Sequence, residues 1–129
     1  MSSVILITGA GSGIGKLSAE TLALAGHTVY ATMRDVAGRN ADRAQAMRDW
    51  AAAHHADLRP LELDVLSQPS ADAAVAAIVQ AHGRLDVVMQ NAGHLVIGPT
   101  EAFTAEDMQR AFDTNFYGAQ RVNLSLIHI

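Results

Sequence analysis

The apolar residues of this chain fall into short continuous runs separated by longer stretches with one apolar face. Val4-Ile5-Leu6-Ile7 is such a run, bounded by a glycine-rich turn, which is the pattern of a strand buried on both faces. Behind the turn, Ile14 to Ala25 sets Leu17, Leu22 and Leu24 among small residues and stops at Gly26, as a helix with a glycine terminator does. His27 to Met33 returns to strand. Asn40 is placed to cap a helix running to about His54, with Trp50 and Met47 as its packing material. In Leu58 to Val65, residues Leu61, Leu63 and Val65 share one face of a third strand.

The alternation then repeats. Ser67 to His82 reads as a helix with Pro69 in its first turn and Gly83 just past its end, and Leu85 to Gln90 as the fourth apolar strand. Ala92 to Phe103 carries loop chemistry, after which Thr104 and Asp107 form an approximate capping box for a last helix reaching at least Val122. Strands alternating with helices predict an α/β fold, a doubly wound parallel sheet with helices on both faces and about four βα units. No repeat, linker or low-complexity segment divides residues 1–129, so a single domain is expected.

Composition removes several function classes. Half of the 129 residues are hydrophobic, and 13 acids against 9 scattered bases give a net charge of -4, which suits a packed soluble chain and no nucleic-acid partner. The absence of cysteine excludes disulfides, thiolate metal sites and a cysteine nucleophile, and fits the reducing cytoplasm. No leader precedes the first strand and no apolar run approaches the ~20 residues of a membrane span, so a cytoplasmic protein without a membrane partner is expected. His54 and His55 are adjacent and lack a ligating residue one turn away, so no metal site is expected.

The chemistry concentrates in Thr8-Gly9-Ala10-Gly11-Ser12-Gly13-Ile14-Gly15, between the first strand and first helix. Glycine lets backbone approach a ligand closely, and the helix that starts here turns its unpaired N–H groups and positive dipole end toward the loop, so a pyrophosphate is the expected occupant. Gly9-x-Gly11-x-Gly13 also imitates the glycine loop of S-adenosylmethionine methyltransferases, but Ile7 stands where that motif carries an acid.

Thr8 to Gly15 resembles the Thr-Gly-x3-Gly-x-Gly signature of short-chain dehydrogenases/reductases, and three further motifs follow in the family's order. Asp64-Val65 ends the third strand, where the family sets a carboxylate and a backbone N–H against the adenine. Gln90-Asn91-Ala92-Gly93 is similar to its Asn-Asn-Ala-Gly block, with Gln in the first place. Asn115, in Asn115-Phe116-Tyr117-Gly118, matches its Asn-x-x-Gly asparagine, which helps hold a proton-relay water. The resemblance covers residues 3 to about 123 and implies a Rossmann fold. It assigns cofactor contacts to Gly9, Ser12, Gly13, Ile14, Gly15, Asp64, Val65, Asn91, Ala92 and Gly93, and a catalytic role to Asn115. His94 then lies where substrate and nicotinamide approach.

In this family the tip of the second strand meets the adenosine ribose. Met33 stands there without a carboxylate, and Arg34 follows with a guanidinium suited to a 2′-phosphate, with Ser12 as a second donor. NADP is therefore expected over NAD, for which Asp35 is the counter-argument. The family's Ser and Tyr-x3-Lys have no counterpart, because Lys16 is the only lysine and neither Tyr30-x3-Arg34 nor Tyr117-x3-Arg121 substitutes for the pair. The expectation is the first half of an oxidoreductase acting on an alcohol or carbonyl, from a homo-oligomeric parent. By itself the chain is expected to be inactive, and its tail after about residue 123 reads as an interrupted frame. The rival reading is a non-catalytic NAD(P)-binding module.

Overall fold

The computed structural model describes residues 1–127 and 129. Strands β1 (Val4–Ile7), β2 (Thr28–Met33), β3 (Leu58–Glu62) and β4 (Val87–Met89) alternate with helices α1 (Gly13–Leu24), α2 (Ala41–His54) and α3 (Gln68–His82). After β4 come a 3-10 turn (Thr100–Ala102), α4 (Ala105–Phe112), a π segment (Asp113–Tyr117) and α5 (Gly118–Leu126). All pairings are parallel in the order β3-β2-β1-β4, the doubly wound, Rossmann-like arrangement the alternation implied.

The sheet is buried on both faces, which is why β1 is apolar throughout. Ile5, Ile7, Val29, Ala31 and Met33 pack under α1 and α2, against Ala19, Ala23, Met47 and Ala51. Val4, Leu6, Tyr30, Leu63 and Val65 pack on the other side, against Ala71, Val75 and Ile78 of α3 and Val122 of α5. Apolar residues alternating between the two layers contribute roughly 25 cal/mol per Å² of buried area to each.

Several local expectations need correction. The inner face of α1 is Gly15, Ala19 and Ala23, whereas Leu17 and Leu24 are exposed. Small residues at this spacing let the helix axis lie close to the sheet, which leucines would prevent. Asn40 stands at the cap position of α2 but makes no side-chain cap bond. Its Nδ2 donates instead to the Arg34 carbonyl at 2.6 Å. Strand β3 stops at Glu62, although Leu63 and Val65 still share a buried face. The last helix is not continuous, since the π segment interrupts it.

The other boundaries follow local chemistry. Ser67 accepts from the Ser70 N–H with Pro69 in the first turn, and Gly83 ends α3 at φ +69°. Thr104 and Asp107 form the reciprocal capping box that opens α4.

Candidate cofactor site

A cavity of about 860 Å³ lies at the carboxyl ends of the strands. The strand order reverses beside β1, and this is where an open α/β sheet leaves a crevice. Of the residues expected from sequence, Gly9, Ser12, Ile14, Gly15, Arg34, Asp64, Val65, Asn91, Ala92 and Gly93 line it. Gly13 and Asn115 do not.

The glycine loop is pressed against the turn after β4. Gly9 has φ +64°, and a Cβ there would lie 2.7 Å from the Ala92 Cα; at Gly15 one would lie 2.5 Å from Asn91 Nδ2 and 2.7 Å from the Gly9 carbonyl. Neither position accepts a side chain. Gly13 is needed for another reason, a left-handed φ of +57° facing open space. Ser12 occupies the cap position of α1 without a side-chain cap bond, so among the described residues no side chain caps the first amides of that helix. A bare helix N-terminus in a glycine cradle fits a pyrophosphate.

Thr8 fastens the two loops together. It is buried to 1% exposure, and its Oγ1 accepts from the Asn91 and Ala92 amides, each at 3.0 Å. Asn91 answers with Nδ2, donating to the Thr8 and Gly9 carbonyls at 3.0 and 3.1 Å. Asn91 is thus a structural clamp as well as part of the wall. Gln90 reaches the last helix, its Nε2 donating to Asn123 Oδ1 at 3.1 Å.

At the β2 tip, Met33 and Arg34 line the cavity together with Asn40 and Arg43. Asn40 ties the Arg43 guanidinium to the backbone of the β2 tip, donating to the Arg34 carbonyl and accepting from Arg43 Nη1 at 3.3 Å. Asp35 is turned to another task. It adopts φ +55°, its Oδ2 accepts from the Arg39 amide at 2.9 Å, and it is absent from the cavity wall. Its own amide and that of Val36 donate to the Glu62 carboxylate, both at 2.8 Å, which fixes the turn.

Beyond β3, one Asp64 oxygen accepts from the Leu66 amide at 3.0 Å, while the Val65 carbonyl accepts from Arg121 Nη1 at the same distance. Asp107, also in the wall, has its carboxyl held below the usual Asp range by the Thr104 amide, then the Thr104 hydroxyl, then Arg110. Asn115 spends both ends of its carboxamide on the backbone of His94, donating to the carbonyl and accepting from the amide, each at 2.8 Å. Among the described residues no group of three acids or histidines is placed to hold a metal ion.

Sequence reasoning passed over Asn40 as a tie between the β2 tip and Arg43, Arg43 as part of the wall, and Arg121. Arg43 was the most accessible of these, one helical turn from Asn40. Asn40 works through Arg34 and Arg43, six and three residues away, in a turn that no spacing rule announces, and Arg121 depends on Val65, 56 residues distant.

Comparison with known proteins agrees with this geometry. The family model described as "short chain dehydrogenase" matches residues 3–127. The chain is 36% identical over 115 residues to 3-ketodihydrosphingosine reductase of Bacteroides thetaiotaomicron, covering 89% of this chain and 37% of that protein. It is 37% identical over 121 residues to human retinol dehydrogenase 8, covering 92% of this chain and 37% of the relative. A crystal structure of an actinorhodin polyketide ketoreductase variant with NADPH superposes with a TM-score of 0.84 at 31% identity, over 96% of this chain and 46% of that one. The chain therefore spans less than half the length of the proteins it is similar to.

Proposed function

The chain belongs to the short-chain dehydrogenase family, and from that premise we propose that the protein it builds is an NADP(H)-dependent oxidoreductase interconverting an alcohol and a carbonyl on a small molecule. Residues 1–129 are, in this reading, its dinucleotide-binding portion. The activities that the similar proteins are named for, a 3-ketodihydrosphingosine reductase and a retinol dehydrogenase, support alcohol–carbonyl chemistry.

The observation that carries the cofactor choice is at the β2 tip. Arg34 and Arg43 face the cavity with no carboxylate between them, because Asp35 is committed to its turn. A guanidinium pair suits a 2′-phosphate, while a ribose 2′-OH is best met by a carboxylate at this tip, and the lining residues there, Met33, Arg34, Asn40 and Arg43, include none. The ketoreductase solved with NADPH is consistent with that choice.

When bound, the nicotinamide supplies or accepts the hydride. The glycine loop and the start of α1 hold the pyrophosphate, Arg34 and Ser12 the 2′-phosphate, and Asp64 and Val65 the adenine. Asn91, Ala92 and Gly93 shape the floor beneath the dinucleotide. Asn115 serves the reaction by fixing the His94 backbone at the nicotinamide end. The tyrosine and lysine that move the substrate proton in the family have no counterpart within residues 1–129. The cysteine-free composition suits the cytoplasm, and among the described residues no helix is long and apolar enough to cross a membrane.

The test is kcat/KM with NADP(H) and NAD(H) for the full-length protein and for Arg34→Ala. We expect a preference for NADP(H) that drops roughly ten- to a hundredfold in the variant, as loss of a charge-assisted phosphate contact implies. A wild type that prefers NAD, or a variant with unchanged preference, overturns the assignment.

A further inference from the structure

Arg121 lies on α5, one turn past the π segment, and its guanidinium joins two walls of the cofactor cavity. Nη1 donates to the Val65 carbonyl at 3.0 Å and to the Asp113 carbonyl at 3.3 Å, while Nη2 pairs with Asp113 Oδ1 at 2.5 Å. Val65 and Asp113 both line the cavity, one from the end of β3 and the other from the first residue of the π segment. The two come from sequence positions 48 residues apart (113 − 65) and share one planar cation.

The neighbouring residues make this junction close. A Cβ on Gly118 would lie 3.0 Å from Val65 Cβ and Cγ2, tighter than ordinary van der Waals contact, so glycine lets the start of α5 rest closely on Val65. In the π segment the Asp113 carbonyl accepts from the Gly118 amide five residues on, and Arg121 takes up its second acceptor position. Gln68 Nε2 donates to the Arg121 carbonyl at 3.0 Å, tying the same turn to the start of α3.

As an ion pair this contact contributes little to stability, since the Asp113 and Arg121 side chains are 45% and 25% exposed. Its geometry is more specific than its energy. Three bonds from one rigid fork fix the distance between the Val65 backbone and the helix across the cavity, which a flexible ammonium cannot do.

We propose that Arg121 is a positioning residue for the adenine end of the cofactor cavity, setting its width through the Val65 and Asp113 carbonyls without touching the cofactor. This rests on the cofactor reading above, in which Val65 contacts the adenine. The adenylate half of the dinucleotide should therefore depend on Arg121, and the nicotinamide half should not.

The experiment measures binding of 5′-AMP and of nicotinamide mononucleotide to the full-length protein by titration calorimetry, for wild type, Arg121→Met, Arg121→Lys and Asp113→Asn, with thermal unfolding of each. Arg121→Met should weaken 5′-AMP roughly five- to twentyfold while nicotinamide mononucleotide binding and the melting temperature stay near wild type. Arg121→Lys should recover part of the loss, and Asp113→Asn, which keeps the size of the side chain and removes only its charge, should weaken 5′-AMP by a smaller factor. Unchanged 5′-AMP affinity across these variants overturns the inference and leaves the cofactor reading standing. Equal weakening of both ligands with a fall in melting temperature also overturns it, since that is general damage. A wild type that does not bind 5′-AMP overturns the cofactor reading itself.

Discussion

Thr8 shows how much of the site rests on single buried atoms. Its hydroxyl is the acceptor for two amides of the turn after β4, and without it both N–H groups face an apolar neighbour. Thr8→Val keeps the shape and removes the acceptor, so it should cost about 2 to 3 kcal/mol, while Thr8→Ser should cost well under half of that. Urea unfolding of the three proteins checks this, and a larger loss for Ser than for Val would show that the methyl, not the hydroxyl, matters. At this scale the glycine spacing was legible because glycine is required wherever backbone meets backbone, as at Gly9 against Ala92. Asp35 was not legible. Its carboxylate reads as a ribose acceptor until its left-handed φ and the Arg39 amide are seen. Asn40 likewise reads as a helix cap, and only the closeness of the Arg34 carbonyl turns it into a link between the β2 tip and the Arg43 guanidinium.

Among the elements, the ends with local chemistry were readable and the interruption was not. Thr104-x-x-Asp107 announces α4 because both partners lie within one turn, and Ser67-x-Pro69 with Gly83 brackets α3 in the same way. The π segment shows no such signal, since a single widened turn leaves the spacing of Phe112 and Phe116 helical and is revealed only by hydrogen-bond partners. In α1 the leucines suggested the buried face, yet close approach to the sheet selects glycine and alanine there. The capping box also carries a pH dependence. The Asp107 carboxyl is held below the ordinary value of 3.8 by the Thr104 amide and hydroxyl and by Arg110, so the folded helix favours the ionised form. Its contribution is complete above pH 3.8 and is lost as pH falls from there through the lowered folded value. Amide protection in the first turn of α4, taken relative to the intrinsic exchange rate at each pH and followed downward from pH 5, should fall in the wild type and change less in Asp107→Asn. Parallel profiles would mean that the carboxylate does not hold this helix end.

For the molecule as a whole, the parallel order was readable from the alternation of elements, but the surfaces left open were not. Strand β4 pairs only with β1 among the described residues, and Val87 on it is 46% exposed. Leu95, Ile97, Phe112, Phe116 and Tyr117 are exposed as well, with the three aromatic rings in edge-to-face contact along one side of the last helices. An open strand edge beside an apolar face favours self-association. The lone lysine, Lys16, is engaged with Glu20 at 2.6 Å on α1, so it is not available to lower the pKa of a tyrosine in the cavity. The 129-residue chain expressed by itself should therefore self-associate, bind a dye for exposed apolar surface, and turn over no alcohol or ketone with NADPH. A protein continued to the length of its relatives should instead unfold in one sharp transition and reduce carbonyls, because added strands and helices would cover β4 and the aromatic side. Size-exclusion chromatography, thermal unfolding and NADPH absorbance on both proteins decide it. A monomeric 129-residue chain with a sharp transition would show that these surfaces need no cover, and turnover that stays with that chain through purification would mean that its proton comes from a group other than a tyrosine–lysine pair.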